Sequence, residues 1–185
     1  MNEKAKLRVR ISEEIASLPD EYITASDIGL SARVTELEEF IDARNIMLYY
    51  SVKREPATHE IAKAALSAGK TVAFPLCYRG GSMEARIVKS LDELIPAMLG
   101  IPAPAAAAAL MTPEESDLII VPALTYDYEG YRLGYGGGYY DRYLPGAAGY
   151  TVGLARERLI KAVLPREPHD IAVKCIVTEN GIRRL

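Results

Sequence analysis

With 185 residues, 49% of them hydrophobic, the chain can bury a substantial core as one domain, which excludes a disordered or fibrous protein. A net charge of −3 argues against an extended nucleic-acid surface. Two cysteines, Cys77 and Cys175, exclude a secreted disulfide framework and fit a reducing compartment.

The opening MNEKAKLRVR is basic but lacks the apolar stretch of a signal peptide, and no apolar run is long enough to span a bilayer. A cytoplasmic protein without a membrane partner is therefore expected. Leu7, Ile11, Ile15 and Leu18 recur at helical spacing and predict a first helix, which Pro19 stops. A second helix is predicted over residues 25–44, with a start signal in Thr24 and Asp27 and a stripe of Leu30, Val34, Leu37 and Ile41.

The period then changes. Residues 46–50 form a short apolar run that reads as a buried strand, followed by a loop with Glu55 and Pro56. A helix starting near Thr58 carries Ile61, Ala65 and Leu66, and Gly69 stands where its C-terminal cap belongs. Strands are predicted at 71–75 and, past the Gly80-Gly81 turn, at 85–88; further strands follow at 118–122, 150–154 and 175–178. The alanine run 105–109 reads as surface filler. Strands alternating with helices imply an α/β fold, a three-layer α/β/α arrangement around a mostly parallel sheet in a single domain. Ligands of such sheets gather outside the carboxyl ends of the strands, where the loops after Tyr50 and Pro122 begin.

The most informative segment is RLGYGGGYYDRYL, residues 132–144. Gly134, Gly136, Gly137 and Gly138 fall within five positions, and glycines let successive backbone N–H groups close around an anion. Residues 139–144 read as a helix whose N-terminus would favour a phosphate. Composition alone favours a plain flexible turn. The flanks shift the balance, because Arg132 can pair with phosphate oxygens and Asp141 can carry magnesium. The segment is neither GxxxxGK[ST] nor GxGxxG, since Tyr139 stands at the third glycine position of the latter.

At 100° per residue, Lys4 and Arg8 fall near the apolar stripe of the first helix, whereas Lys6 and Arg10 point away. Spacing alone leaves a solvated helix end and a phosphate-binding pair equally open for Lys4 and Arg8. Hydrolytic machinery is missing. Glu84 breaks GxSxG after Gly80-Gly81-Ser82, Lys63 breaks HExxH after His59-Glu60, and the second histidine, His169, stands alone. Cys77 and Cys175 read as small buried hydrophobes.

The run VPALTYDYEGYRLGYGGGYYDRYL, residues 121–144, resembles the signature of the 5-formyltetrahydrofolate cyclo-ligase family, also called 5,10-methenyltetrahydrofolate synthetase. The resemblance extends to Lys4, Leu7 and Arg8, to Glu55 and Thr58, to Gly100-Ile101-Pro102, and to His169-Asp170 with Ile176-Val177-Thr178. It implies an enzyme that uses ATP and magnesium to convert 5-formyltetrahydrofolate to 5,10-methenyltetrahydrofolate, releasing ADP and phosphate. On that resemblance Lys4 and Arg8 bind ATP phosphates. Arg132, Gly134, Tyr135, Gly136, Gly137, Gly138, Tyr139 and Tyr140 wrap the triphosphate, with Arg132 and Tyr140 in the catalytic role. Asp141 holds magnesium. Tyr50, Glu55, Tyr139 and Tyr140 contact the folate. A monomer binding no nucleic acid is expected.

Three positions depart from the family pattern: Ala103 stands where glutamate is frequent, Lys174 where an aspartate is associated with magnesium, and Tyr135 where some relatives carry arginine. The first two motivate an alternative, a folate- or nucleotide-binding paralogue without turnover. At the second of these positions, either water completes the coordination of magnesium or Lys174 supplies positive charge directly. A third reading is an enzyme of the same broad fold acting on sugar phosphates.

Overall fold

The computed structural model describes residues 2–185. Helices α1 (Glu3–Ser17), α2 (Asp20–Thr35) and the short α3 (Glu38–Asp42) precede the first strand, β1 (Asn45–Leu48). Helix α4 (His59–Ser67), β2 (Thr71–Cys77) and β3 (Met83–Val88) follow, then three two-residue strands, β4 (Ile95–Pro96), β5 (Pro102–Ala103) and β6 (Leu110–Met111). Strand β7 (Leu118–Val121) leads through β8 (Thr125–Tyr126) and β9 (Arg132–Leu133) to α5 (Tyr139–Tyr143). Strands β10 (Tyr150–Leu154), β11 (Cys175–Val177) and β12 (Ile182–Arg184) come last.

The first helix forms where its periodicity places it, and the Asn2 side chain caps it by accepting the Ala5 N–H at 2.9 Å. The second departs from expectation at both ends. Pro19 follows α1 but also stands at the N-cap of α2, where its fixed φ and missing N–H cost nothing. Thr24 and Asp27 therefore lie inside the helix and do not start it. The Thr24 hydroxyl donates to the Asp20 carbonyl, and Asp27 pairs with Arg156. The chain also turns at Glu36, so the apolar stripe breaks: Leu30, Val34 and Leu37 are buried, whereas Ile41 on α3 is 60% exposed.

Eight strands form one sheet in the order β12-β11-β10-β7-β1-β2-β3-β6. The inner five, from β11 to β2, are parallel, and β12, β3 and β6 run antiparallel to their neighbours. In β1, Ile46 lies opposite Val72 of β2 and Leu118 of β7, so both flanking registers are fixed from the sheet's centre. Strand β7 reads LIIV and is wholly buried, as a parallel strand covered on both faces must be. Burying each such side chain contributes about 1.5–3 kcal/mol.

Leu30 and Val34 of α2 and Ile61 and Ala65 of α4 cover one face of the sheet. The other face is covered by Tyr126, Tyr143 and Leu144, so its helical layer is thin, with α5 only five residues long. Helix α1 belongs to neither layer; its Ile11 packs on Leu133 and Leu164. Among the described residues, no helix is long and apolar enough to cross a membrane.

Candidate active site

From β1 the chain proceeds to β2 on one side, while β7 and β10 lie on the other. Strand order reverses beside β1, and such a switch point opens a crevice at the carboxyl edge of the sheet. A cleft of about 910 Å³ lies there. Tyr49 and Tyr50 after β1, Cys77 at the end of β2, Pro122 and Ala123 after β7, and Arg156 after β10 all line it. Lys4 and Arg8 enter from α1, and the glycine segment forms a wall.

The glycine bend has an asymmetric hydrogen-bond pattern. Its carbonyls are engaged: Gly134 accepts from Arg8 Nε at 2.8 Å, and Gly137 accepts from the Arg142 guanidinium. The amides of residues 134–138 donate to no acceptor among the described residues. Gly136 has φ +94° and Gly138 φ +67°, and these left-handed turns leave the N–H groups unpaired. The bend thus presents donors to the cleft, with the Arg8 side chain packed against Gly136. Helix α5 is one short turn, so its dipole adds little, and the bend's own amides carry the anion-binding capacity. Gly136→Ala forces a side chain into the left-handed region, at about 1–2 kcal/mol. If the bend holds a phosphate group, calorimetry with ATP should give an affinity roughly tenfold lower in this variant.

The two cations of α1 differ. Arg8 is half-buried against the bend. Lys4 is buried, and the partner that its core-facing position demands is protein: its Nζ lies 2.6 Å from Asp170 and 3.0 Å from Glu167. Burial opposes the ammonium charge, yet these two carboxylates outweigh it and hold the group above the usual lysine range. Glu167, His169 and Asp170 bring ligand atoms within 4.8 Å of one another, but the Lys4 ammonium already pairs with both carboxylates of that cluster.

Arg132 is also committed. Its guanidinium donates to the Ile171 carbonyl at 2.6 Å and to Asp141 Oδ1, which fixes the Asp141 carboxylate at the cleft. Asp141 remains 22% exposed, so it can reach a cation in the cleft while staying paired. The Tyr140 hydroxyl is buried without a partner, an orphan that a ligand could satisfy. The rings of Tyr139 and Tyr140 both pack against the core, and the Tyr139 hydroxyl donates to the Tyr78 carbonyl.

Across the cleft stands the loop after β1. Glu55 Oε2 accepts the Val52 N–H at 2.8 Å. Lys53 between them has φ +56°, the only non-glycine residue described with positive φ; such strain concentrates at functional sites. Tyr135 is 56% exposed overall, but its hydroxyl end leans from the bend toward this loop, where desolvation and then the Glu55 carboxylate raise its pKa.

Tyr50 packs edge-on against His59, with centroids 4.4 Å apart, and His59 Nδ1 lies 3.0 Å from the Ser51 hydroxyl. Burial and then Lys63 push the His59 pKa below 6.5. The unfolded chain therefore binds the extra proton first, and this contribution to stability is complete above pH 6.5 and lost as pH falls through the folded value. Thermal melts should show that decline, and His59→Gln should flatten it.

Lys174 does not reach the cleft. Its Nζ donates to the Gly149 carbonyl and lies over Tyr150, at the amino ends of the strands, so it supplies no charge to a ligand in the cleft. Ala103 lines the cleft with the 95–103 hairpin. Both thiols are free, and burial raises their pKa values, that of Cys175 to about 11, so neither is an activated nucleophile. Spacing gave no signal for Arg156 or Arg54, whose partners, carbonyls together with Asp27 and Asp20, are distant in sequence.

The sequence profile described as the 5-formyltetrahydrofolate cyclo-ligase family matches residues 1–179. The chain belongs to this family. A Schizosaccharomyces pombe protein named as a probable 5-formyltetrahydrofolate cyclo-ligase is 32% identical over 145 residues, 76% of this chain and 71% of that one. The cyclo-ligase of Mycolicibacterium smegmatis is 29% identical over 197 residues, 97% of this chain and 95% of the relative. Among solved structures, the 5,10-methenyltetrahydrofolate synthetase of Aquifex aeolicus superposes with a TM-score of 0.88 at 31% identity, covering 98% of this chain and 92% of that one. Cyclo-ligase family membership thus agrees with a cleft in which a wall of unpaired amides faces a carboxylate-bearing one.

Proposed function

We propose that this protein converts 5-formyltetrahydrofolate to 5,10-methenyltetrahydrofolate with ATP and magnesium, releasing ADP and phosphate. The observation that carries the reading is the glycine bend, whose carbonyls are tied down and whose amides are left for an anion. Facing it at the strand ends is a carboxylate, Glu55, suited to the donor edge of a pterin.

Bound in this way, the γ-phosphate lies against the bend amides, with Arg8 beside it and Arg132 behind Asp141. Phosphoryl transfer needs positioning and charge neutralisation more than a covalent nucleophile. The formyl oxygen attacks the γ-phosphorus and ADP departs. N10 then attacks the activated carbon and gives up its proton, and the carbon–oxygen bond breaks to release phosphate as the ring closes. Holding N10 and the formyl carbon together supplies much of the rate. Asp141 is the residue placed to hold magnesium, which when bound would neutralise phosphate charge. Tyr50 and the orphan Tyr140 hydroxyl bound the folate side, and Lys4 holds Asp170 and Glu167 at the nucleotide side.

The alternative of a silent binding paralogue drew on Lys174, and the position of that residue outside the cleft removes half its motive. The test is to mix purified protein with magnesium, ATP and 5-formyltetrahydrofolate and follow the chromophore of the methenyl product. Product formation that depends on all three is expected. Absence of product at high enzyme concentration would overturn the reading.

A further inference from the structure

The loop that carries Glu55 is held from outside by a residue that the reaction does not use. Arg156 follows β10 and is 1% exposed. Its guanidinium donates to the carbonyl of Arg54 at 3.2 Å and to that of Glu55 at 3.1 Å. It also reaches the Ile23 carbonyl of α2 at 3.3 Å and pairs with Asp27 of α2 at 2.9 Å. Asp27 in turn accepts the Ala57 N–H at 3.1 Å. One ion pair thus grips residues 54–57 of the loop, by two carbonyls and an amide, and anchors them to helix α2.

Burying a guanidinium is costly, and a packed apolar side chain would serve stability as well or better. Arg156 Nε moreover stays buried without a partner, so the arrangement is not the most stable available at this position. What the arginine does provide is one planar group whose Nη2 fixes two successive loop carbonyls in one orientation while its Nη1 is held by Ile23 and Asp27 of α2. That orientation sets where the Glu55 carboxylate points, since its Oε2 is bound to Val52 within the same loop and Arg156 itself lines the cleft.

We infer that Arg156 is a positioning residue for the folate half of the site: with Asp27 it holds the Glu55 loop in the geometry that selects the pterin. The hydrogen bonds of this clamp go to α2 and to residues 54–57 and none to the glycine bend, so folate binding should respond more than nucleotide binding. The inference rests on the proposed substrate being a reduced folate.

The experiment measures binding of 5-formyltetrahydrofolate and of ATP by calorimetry, together with KM for each, in wild type, Arg156→Met, Arg156→Lys and Asp27→Asn. In Arg156→Met, folate affinity should fall about tenfold or more, as expected on losing several charge-assisted hydrogen bonds, while ATP affinity stays within about twofold. Arg156→Lys should recover part of the loss, because one ammonium can still reach the carbonyls. Asp27→Asn, which weakens the clamp while keeping the arginine, should move folate affinity the same way by a smaller factor. Equal losses for both ligands, or unchanged folate affinity in folded Arg156→Met, would overturn the inference. Should Arg156→Met not fold, Asp27→Asn decides by the same split. Failure of wild type to bind the folate at all would instead sink the proposed substrate.

Discussion

In Asp141→Asn, turnover is expected to fall by about 100-fold or more at saturating substrates, the scale seen when one charge-stabilising group is removed from a transition state. The fold should survive. Asparagine keeps a carbonyl oxygen where Oδ1 now accepts from Arg132, so the buried guanidinium retains a hydrogen bond and loses only its counter-charge. Breaking a buried ion pair costs about 3–5 kcal/mol, which for a chain of this length lowers Tm by roughly 6–20 °C. The catalytic deficit should shrink as magnesium is raised, because a weakened ligand set still binds metal by mass action. Steady-state rates across a magnesium titration, alongside a thermal melt, measure both effects. Wild-type kcat with an unchanged magnesium response would remove Asp141 from the metal assignment and leave it as the partner of Arg132.

Some of this geometry is written locally in the chain and some is not. The apolar stripe of α1, the buried run of β7 and the four clustered glycines announce a helix, a central strand and a bend, since each depends on neighbours in sequence. Pro19 is ambiguous in the same local terms, because it stops a helix and tolerates the start of one; both happen here, and the start of α2 is therefore missed. The two-residue strands β4, β5, β6, β8 and β9 are too short to show any period. The partner of Lys4 lies more than 160 positions away, so the helical wheel reveals that Lys4 needs a counter-charge but not that Asp170 supplies it. Arg156 is illegible for the same reason: its role is defined by carbonyls of α2 and of the Glu55 loop. Lys174 shows the converse, a departure from family pattern that looks functional until the fold places it at the other edge of the sheet.

Glu55→Gln separates recognition from architecture better than Glu55→Ala would. The glutamine carbonyl can still accept the Val52 N–H, so the loop keeps the bond that shapes it. The remaining carboxylate oxygen, however, becomes an NH₂ group, a donor facing the donor edge of a pterin. A charge-assisted pair is replaced by two donors in contact, and loss of such a pair costs about 1.5–3 kcal/mol, or roughly 10–100-fold in affinity. Folate affinity and its KM should weaken by that factor, whereas ATP affinity should hold, because no atom of Glu55 touches the glycine bend amides. The variant also changes Tyr135. Desolvation and, after it, the Glu55 charge raise its hydroxyl pKa, so removing that charge should lower it while desolvation keeps it above the ordinary tyrosine value. A spectroscopic titration of tyrosines would register this second change in the absence of any ligand. The two readouts together distinguish a pterin anchor from a loop carboxylate: a shifted titration with unaltered folate affinity would show that the substitution reached its neighbour and that Glu55 nonetheless does not recognise the substrate.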